Sequence, residues 1–458
     1  MKIVIVGAGI AGCTAYLQLS KHLPGSHEVT IYEPHSTNID STWPHRADGP
    51  THSATLAVGG GLGVGPNGLQ VLKRLDEGLL RDVVRGGYAV GHSNLKSKNG
   101  TLLIRMQSKA ASGVSAMNML GCSRHALWKC LRSRVPDRVF VNKRVSAVVA
   151  NADGPNVVRF ADGSPQVQAD LVVGADGVRS TVKRAIFHET EEDPYPPRYE
   201  GLVGIGGFLP SSDVEHAVEK GSMNFVFGGN GFFGYFYSES AAADPNRDSP
   251  YDVSEPGDTI SWWSTYSIDE CPDPRSIDTD HVAQQLRERH AQWKDPVVQS
   301  VIRSVRVDNM YPTWTSPQLP TWERDGVVLV GDAAHALPTT SGQGSSQALE
   351  DVEALALLLS HYTGSGSQSV QADKEAIRTA AKRYVHLRQP RVQAVLDQSQ
   401  KMQNSKRNMS VVEEYFMYCM MWIVGFFPSL VSGPLIAVSQ YNVAEQVDQM
   451  LATDQISD

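Results

Sequence analysis

The sequence predicts an α/β fold that combines a parallel sheet with a second, mixed β-sheet and a helical C-terminal tail. Three observations support this prediction. Short apolar runs end in glycine and precede helical patterns, which is typical of buried parallel strands with crossover helices. A later segment alternates aromatic and small residues, and the last stretch is strongly apolar. No repeat of fixed period is visible, which argues against a solenoid or a propeller.

Length, charge and composition exclude several classes of protein. The 458 residues allow two or three domains, and a net charge of −8 with 41% apolar residues fits neither a disordered chain nor a nucleic-acid binder. The five cysteines are far apart and no metal-like spacing occurs, so we expect free thiols, a reducing compartment and no metal site. The N-terminal apolar run is too short for a signal peptide, and we interpret it as a strand.

Four apolar runs are the predicted parallel strands. They are residues 2–6, 29–32, 171–173 and 327–330. Ligands of open parallel sheets bind outside the carboxyl ends of the strands, so the residues directly after these runs are the first candidates for a binding site.

The first run leads into a glycine-rich loop, GAGIAG at residues 7–12, which opens a helical pattern. Gly7 permits a tight turn, Gly9 lets the backbone approach a pyrophosphate, and Gly12 lets the helix pack on the strand. Glu33 ends the next run, where its carboxylate can accept a hydrogen bond from a ribose hydroxyl. Together these features predict a Rossmann-like dinucleotide site.

Two further strand ends carry candidate binding residues. The third run exits through Asp176 and Gly177, and the fourth is followed by Gly331 and Asp332. Asp332 can bind the hydroxyls of a sugar-alcohol chain, and the dipole of the following helix favours negative charge on an electron-accepting ring. The other residues expected around this ring are Pro338, Gly342, Gly344 and Ser345.

At these three motifs together, the chain resembles the single-component (class A) FAD-dependent monooxygenases of the aromatic-hydroxylase type, and among them the fungal secondary-metabolism type. The resemblance covers about residues 1–400. It includes the loop GGGLGVGPN at 59–67 and the segment SRHAL at 123–127. It implies a Rossmann-like FAD-binding domain and a separate substrate domain.

The resemblance also implies a role for individual residues. Glu33 would hold the adenosine ribose, and Gly60 and Arg124 would line FAD. Asp332 would bind the ribityl chain, and Ser345 would lie beside the flavin ring.

The mechanism that the resemblance implies uses NADPH or NADH, which binds transiently, to reduce FAD. Asp176 and Gly177 would take part in binding both FAD and NAD(P)H. O₂ would then form a C4a-hydroperoxyflavin that hydroxylates or epoxidises the substrate. The protein would exclude water and position the substrate, so no catalytic triad is needed.

Aromatic residues alternate with small ones between residues 189 and 308, which predicts a largely antiparallel substrate sheet. The predicted units are the FAD-binding domain of residues 1–188 and 309–405, the substrate domain of residues 189–308, and an apolar segment of residues 406–458. Tyr235 and Tyr237 share one face of a strand and are candidates for polarising a substrate oxygen, with aromatic sheet core as the alternative. The same two interpretations apply to Trp262 and Trp263.

Family members that act on phenols or carboxylates often carry an arginine in the first strand of the substrate sheet. The corresponding stretch, residues 199–208, has no arginine. We therefore expect a neutral, lipophilic polycyclic substrate, such as an alkaloid, polyketide or terpenoid. His335 is interpreted as a packed structural residue rather than a general base.

Residues 415–444 contain no charged residue or histidine. Their densest apolar part stops before Pro428, short of the roughly 18 to 20 residues of a membrane-spanning helix. Three interpretations compete: a helical cover on the substrate domain, a shallow membrane anchor, and a broken transmembrane hairpin. The aromatic and Met-rich composition favours shallow attachment, with the protein in the cytoplasm or on the cytoplasmic face of an internal membrane.

Other functional classes remain open at this point. A flavin-dependent halogenase of the same fold would be expected to show a Trp-x-Trp-x-Ile signature, which the sequence lacks. A plain dehydrogenase would leave Asp332 and the glycines at 342–344 without a role. A membrane-tethered flavoprotein without turnover would bind FAD but would not oxidise NAD(P)H in response to a substrate.

Overall fold

The computed structural model describes residues 1–39, 61–108, 116–187, 193–273, 277–305, 307, 310–364, 370–403, 408–427, 433 and 437–457. The strands are β1 (Lys2–Val6), β2 (Glu28–Glu33), β3 (Gly61–Val64), β4 (Gly87–Val90), β5 (His92–Ser97), β6 (Leu102–Gln107), β7 (Met119–Ser123), β8 (Phe140–Asn142), β9 (Val145–Val149), β10 (Asn156–Phe160), β11 (Val167–Ala169), β12 (Leu171–Gly174), β13 (Arg198–Pro210), β14 (Ser222–Gly228), β15 (Gly231–Tyr237), β16 (Thr259–Ser267), β17 (Tyr311–Thr315), β18 (Glu323–Arg324) and β19 (Val327–Leu329). The helices are α1 (Ile10–His22), α2 (Pro66–Leu75), α3 (Glu77–Arg85), α4 (Arg124–Arg132), α5 (Lys183–Ile186), α6 (Thr279–His290), α7 (Pro296–Ser304), α8 (Asp332–His335), α9 (Gly344–Thr363), α10 (Val370–Gln403), α11 (Val411–Gly425) and α12 (Val443–Ser457).

A six-stranded sheet forms the centre of the larger domain, in the order β18-β19-β12-β1-β2-β8. All neighbouring pairs are parallel except β18 with β19. The four predicted apolar runs supply β1, β2, β12 and β19, and the predicted α/β class is confirmed. The carboxyl ends of these four strands meet at one edge, which we call the ligand edge. A separate antiparallel sheet, β11-β10-β9, belongs to the same half of the molecule.

A seven-stranded sheet forms the second domain, in the order β17-β13-β16-β15-β14-β5-β6. Its neighbouring pairs are antiparallel except β14 with β5. Three of its strands, β5, β6 and β17, come from outside the residues 189–308 to which the sequence assigns this sheet. Side chains alternate between the two faces, and helices α6 and α7 pack against one face only.

A small sheet, β3-β7-β4, connects the two domains. Gly61 and Gly121 lie directly against Phe236, because a Cβ atom on either glycine would come within 2.5 Å of the Phe236 ring. The same small sheet reaches the start of α9, where the Ser345 hydroxyl donates a hydrogen bond to the Gly63 carbonyl oxygen at 3.1 Å. The seven-stranded sheet therefore contacts the small sheet, and through it the ligand edge. Gly61 and Gly121 lie at this contact, where a larger side chain would not fit.

Helix α11 packs on the edge of the seven-stranded sheet. The Tyr418 hydroxyl lies 2.6 Å from the Phe227 carbonyl oxygen, and Lys98 Nζ lies 2.8 Å from Glu414 Oε2. Its other face and the two residues after it expose large apolar side chains, namely Val411, Val412, Tyr415, Phe416, Met420, Trp422, Ile423, Phe426 and Phe427. None of the helices that the structure describes combines the length and apolarity needed to cross a membrane.

Candidate active site

The first loop of the ligand edge is shaped by its glycines. Gly7 has a φ of 101°, and its N–H donates to the Tyr32 carbonyl oxygen at 2.8 Å. A Cβ atom on Gly12 would lie 1.9 Å from the Gly7 carbonyl oxygen, so the helix can approach the strand only with glycine there. Within the described ranges, a Cβ on Gly9 would meet no atom within 4 Å. Gly9 thus faces open space at the start of α1, where backbone N–H groups can bind phosphate.

Glu33 lies beside this loop at the end of β2. Its carboxylate accepts hydrogen bonds from the Ala8 N–H at 2.9 Å and from the His35 N–H at 3.0 Å. It also lines a cleft of about 680 Å³, whose other walls include Arg132 and Phe140. The carboxylate therefore holds the loop and faces the cleft in which a nucleoside can lie.

Arg124 begins helix α4, and the Ser123 hydroxyl caps this helix by accepting from the Ala126 N–H at 3.0 Å. The Arg124 Nε is buried, and no hydrogen-bond acceptor reaches it among the described residues. A buried donor without an acceptor is costly, so this atom fits an anionic ligand group. Gly60, which the resemblance also expects to line FAD, lies outside the described residues.

Asp332 is the first residue of the short helix α8, and it follows Gly331, whose φ is 59°. A Cβ on Gly331 would lie 3.2 Å from the Ala348 side chain and 3.3 Å from that of Ala11, so α1 and α9 converge at this glycine. The Asp332 carboxylate is half-buried, and it forms no side-chain hydrogen bond with any residue in the described ranges. Its oxygens therefore remain available to a ligand.

The start of α9 forms the other wall of this site. Pro338 precedes a single 3₁₀ turn that ends at Gly342, which has a φ of 58°. Cβ atoms on Gly342 and Gly344 would meet no atom of the described residues within 4 Å, so both glycines face open space in this part of the structure. Ser345 is buried, and its hydroxyl is engaged by Gly63, so it positions the small sheet against α9.

Asp176 and Gly177 follow β12 and lie next to the first loop. A Cβ on Gly7 would come within 2.5 Å of the Ala175 carbonyl oxygen, which shows how closely the two loops pack. The Asp176 carboxylate accepts from the Ser180 hydroxyl and the Thr181 N–H, both at 2.6 Å. Burial raises the pKa of Asp176, although these hydrogen bonds oppose the shift. Asp176 thus holds its own loop, and Gly177, with a φ of 79°, faces open space.

These residues fit FAD as a ligand. Gly9, Gly342 and Gly344 leave space around backbone N–H groups, which suits a pyrophosphate and a flavin ring. Arg124 supplies a donor without an acceptor, and Asp332 supplies an acceptor without a donor, within the part of the chain that is described. The structure brings the predicted cofactor residues of all three motifs to one edge of the parallel sheet.

Tyr235 and Tyr237 are not brought to this edge. The Tyr235 hydroxyl donates to Asp295 Oδ2 at 3.0 Å and accepts from Lys96 Nζ at 3.0 Å. The Tyr237 hydroxyl donates to the Val218 carbonyl oxygen at 3.3 Å. Both side chains lie on the face that α6 and α7 cover, and burial raises the pKa of each hydroxyl. Their position matches the alternative interpretation, an aromatic sheet core.

The opposite face of the same sheet is the one that reaches the ligand edge. Phe236 lies between Tyr235 and Tyr237 in sequence and therefore points the other way. Its ring lies 6.0 Å from the Trp263 indole, centroid to centroid, and Trp263 also contacts Phe225 and Phe232 at 6.0 and 6.1 Å. We call Phe225, Phe232, Phe236 and Trp263 the aromatic face.

Glycine makes room for the indole of the aromatic face. A Cβ atom on Gly234 would lie 2.2 Å from the Trp263 ring, so this indole covers the glycine. Trp262, by contrast, stacks on Phe233 at 5.6 Å on the covered face. The sequence pattern identifies both tryptophans as candidates but does not identify Phe236. The short period-two pattern Phe232, Gly234, Phe236 opposite Trp263 is the feature that could have revealed the pairing.

His335 is buried and packs on Trp322, with the ring centroids 5.0 Å apart. Its Nε2 lies 2.5 Å from Asp351 Oδ2. This agrees with the interpretation of His335 as a structural residue.

The amino-acid sequence is similar to those of known flavoproteins. The family model described as "FAD binding domain" matches residues 1–399. The chain is 24% identical over 363 residues to 6-hydroxynicotinate 3-monooxygenase of Pseudomonas fluorescens, which covers 78% of this chain and 82% of that protein. It is 25% identical over 422 residues to an FAD-dependent monooxygenase of Gibberella moniliformis, which covers 87% of this chain and 85% of that protein.

Two solved structures have a similar fold. A salicylate hydroxylase substrate complex superposes with a TM-score of 0.70 at 19% identity, covering 98% of this chain and 97% of that one. HpxO of Klebsiella pneumoniae, complexed with FAD and uric acid, superposes with a TM-score of 0.68 at 18% identity, covering 99% and 96%. At these identities the likeness establishes the shared fold.

Proposed function

We propose the following reaction for this chain, which belongs to the FAD-binding-domain family whose model matches residues 1–399. This FAD-dependent monooxygenase adds one oxygen atom of O₂ to a neutral, lipophilic ring compound. NADPH or NADH is the proposed reductant, and hydroxylation and epoxidation both fit the site. The aromatic face is the observation that supports this substrate class. Its Phe236 contacts the small sheet, which reaches the ligand edge.

The residues of the ligand edge would bind different parts of FAD. Glu33 would accept hydrogen bonds from the adenosine ribose, and Asp332 would accept from the ribityl hydroxyls. The N–H groups near Gly9 and the Arg124 guanidinium would neutralise the pyrophosphate. The N-terminus of α9, which begins at Gly344, would favour negative charge on the reduced ring.

FAD held by these residues would supply the redox chemistry, the transfer of electrons from NAD(P)H to O₂. The side chains of this protein bind and orient the substrate and exclude water. Phe225 and Trp263 are half-buried, and their rings provide flat apolar surfaces on which a ring compound can stack. The buried Phe232 and Phe236 pack beside them and support these rings. Helix α11 closes the far end of the aromatic face, because Tyr418 and its neighbours pack against Phe227 and Phe232.

The face of the described strands β5, β14, β15 and β16 that carries Phe236 favours a neutral substrate. The similar proteins include enzymes named for 6-hydroxynicotinate and salicylate, which are anions at neutral pH. A buried anion needs a cationic or hydrogen-bonding partner. In β5, β14, β15 and β16, all of which are described, no lysine or arginine shares a face with Phe236. Lys96 and Arg105 lie on the opposite face, beside Tyr235 and Asn94.

Turnover measurements test the substrate class. Purified holoprotein would be mixed with NADPH, isotopically labelled O₂ and either neutral polycyclic compounds or salicylate and benzoate. We expect neutral compounds to accelerate NADPH oxidation and to gain one labelled oxygen atom. Faster oxygenation of the two carboxylates would refute the proposed class.

A pair of tryptophan variants tests which face of the sheet binds the substrate. Trp263→Leu should raise KM for a neutral substrate and increase NADPH oxidation that yields no product. Trp262→Leu, one residue away on the covered face, should lower thermal stability but leave KM within about twofold of wild type. If the two variants showed the reverse pattern, the aromatic face would not be the substrate wall.

We further propose that α11 attaches the protein to the surface of a membrane. Its only buried charge, Glu414, pairs with Lys98 on the inner face, whereas Phe416 and Trp422 are more than half exposed at 67% and 53%. A helix that exposes this many large apolar side chains can lie in the interfacial region of a bilayer and deliver a lipophilic substrate to the adjoining domain.

Vesicle flotation tests this attachment. The wild-type protein should float with phospholipid vesicles, and the double variant Phe416→Ser, Trp422→Ser should remain in solution with unchanged FAD content. Phe208→Ser, which alters an exposed aromatic residue on β13, serves as the control and should float like wild type. Equal flotation of the double variant and wild type would rule out α11 as the attachment site.

A further inference from the structure

One buried arginine joins two neighbouring carboxylates beneath the ligand edge. Glu350 and Asp351 are consecutive residues of α9, and Arg388 comes from α10; all three side chains are 0% exposed. Arg388 lies 2.5 Å from Glu350 Oε2 through one terminal nitrogen and 2.9 Å from Asp351 Oδ1 through Nε. The guanidinium therefore bridges both carboxylates with two different donors.

The second oxygen of Asp351 reaches the turn that carries Asp332. Asp351 Oδ2 accepts from the Gly331 N–H at 2.9 Å and lies 2.5 Å from His335 Nε2. Gly331 and His335 are the residues at the two ends of the segment 331–335. Asp351 thus holds the Asp332 turn from both sides.

The second oxygen of Glu350 reaches the opposite wall of the ring site. Glu350 Oε1 accepts from Asn67 Nδ2 at 2.5 Å, and the same Asn67 nitrogen donates to Gln343 Oε1 at 3.0 Å. Gln343 stands between Gly342 and Gly344, the two glycines that face open space. Glu350 thus holds the start of α9 and the start of α2 together.

The charges of this cluster depend on one another. Burial alone would raise the pKa of Asp351, but His335 and Arg388 outweigh it and hold that pKa at about 2. Arg391 also faces the cluster, with a terminal nitrogen 3.4 Å from Glu350 Oε1. Without Arg388, two adjacent buried carboxylates would lose their main counter-charge, and such groups take up protons or rearrange.

We propose that Arg388 is a positioning residue for FAD: through Asp351 and Glu350 it keeps the Asp332 turn and the Gly342–Gly344 loop at the spacing that the flavin requires. The inference rests on the FAD site of the proposed function but not on the substrate class. The fully buried ion cluster lies directly under the Asp332 turn and under a loop whose glycines face open space.

FAD titration of the apoprotein tests this inference. Arg388→Met should raise the FAD dissociation constant by about 30-fold, because both loops lose a charged anchor, and Arg388→Lys should recover part of the affinity. At saturating FAD, Arg388→Met should also shift the midpoint potential and the visible spectrum of the flavin towards those of free FAD. Arg378→Met is the matched control, since Arg378 lies on the same helix and pairs with Asp325 at 2.8 Å. It should change the dissociation constant less than threefold.

A folded Arg388→Met apoprotein with wild-type FAD affinity and an unchanged flavin spectrum would overturn the inference. If Arg388→Met does not fold, Asn67→Ala and Arg388→Lys decide the question, since each removes only part of the cluster. Both should weaken FAD binding, and wild-type affinity in both would again overturn it. These titrations do not depend on turnover, so a failure of the proposed substrate class would leave them interpretable.

Discussion

Replacing Asp332 by alanine should separate cofactor affinity from the stability of the apoprotein. The carboxylate has no side-chain hydrogen bond within the described ranges. Its removal costs the apoprotein only a favourable charge at the start of the short helix α8, so the free energy of unfolding should change by less than about 1 kcal/mol. A hydrogen bond to a charged group is worth about 1.5–3 kcal/mol. The FAD dissociation constant should therefore rise about 10- to 150-fold for each bond lost.

Two measurements on the same samples check this prediction. Fluorescence titration of the apoprotein with FAD gives the dissociation constant, and urea unfolding of the apoprotein gives its stability. Glu33→Gln provides the contrast, because Glu33 accepts from the Ala8 and His35 N–H groups and should lose both affinity and stability. An Asp332→Ala protein with wild-type FAD affinity, or with stability lowered by more than about 2 kcal/mol, would show that Asp332 supports the fold instead.

Three further predictions concern the loop glycines, a buried histidine and helix α11. Gly12→Ala should lower the melting temperature of the apoprotein, because the new Cβ would lie 1.9 Å from a backbone carbonyl oxygen. Gly9→Ala meets no atom within 4 Å and should weaken only FAD binding; equal melting temperatures for the two variants would contradict this. Burial lowers the pKa of His290 from 6.5 to about 4, so the fold disfavours its proton and stability should fall as pH drops from 6.5 to 4. His290 should account for about 3 kcal/mol of this loss in urea unfolding. The loss should be smaller by that amount in His290→Gln, in which His22 and His125, whose pKa values burial also lowers, still contribute. Lys98→Met should lower the free energy of unfolding by about 2–3 kcal/mol, because it leaves the buried Glu414 carboxylate without its counter-charge. Adding Glu414→Gln should restore most of this stability. A double variant no more stable than Lys98→Met would show that the pair does not hold α11.

The ligand edge is the part of the molecule that local sequence predicts well. Gly12 is required by its contact with the Gly7 carbonyl oxygen, five residues away, and Glu33 marks the end of the next strand. Such short-range constraints are visible in one sequence because the loop must form in the same way whatever packs around it. The turn at Gly331 and Asp332 carries one local signal, since Gly331 adopts a φ of 59° that favours glycine.

The faces of the second sheet could not be predicted in the same way. Period-two alternation shows that Tyr235 and Phe236 point in opposite directions, but it does not show which of them meets the cofactor domain. That choice is made by Gly61 and Gly121, which are more than a hundred residues away and leave room for one ring only. Strand β5 joins this sheet by pairing with β14, more than a hundred residues later in the sequence, and β6 follows as the neighbour of β5.

The buried cluster illustrates a third limit. Arg388 lies in a long, polar helical stretch, where an arginine ordinarily points to solvent. Its burial follows from the packing of α10 on α9, which brings it to Glu350 and Asp351. A single sequence contains no local pattern for that contact.

The strand order of the parallel sheet also affects how the protein is synthesised. β12 pairs with β1 as soon as both have been made, but its other neighbour, β19, is translated only after the whole second domain. At about 5–20 residues per second, the roughly 150 residues between them take about 8–30 s to emerge from the ribosome. Throughout that interval the nascent chain presents an unpaired, apolar strand edge that can join other chains. We therefore expect the yield of folded protein to depend on chaperones that shield this edge, and slowing translation to increase aggregation.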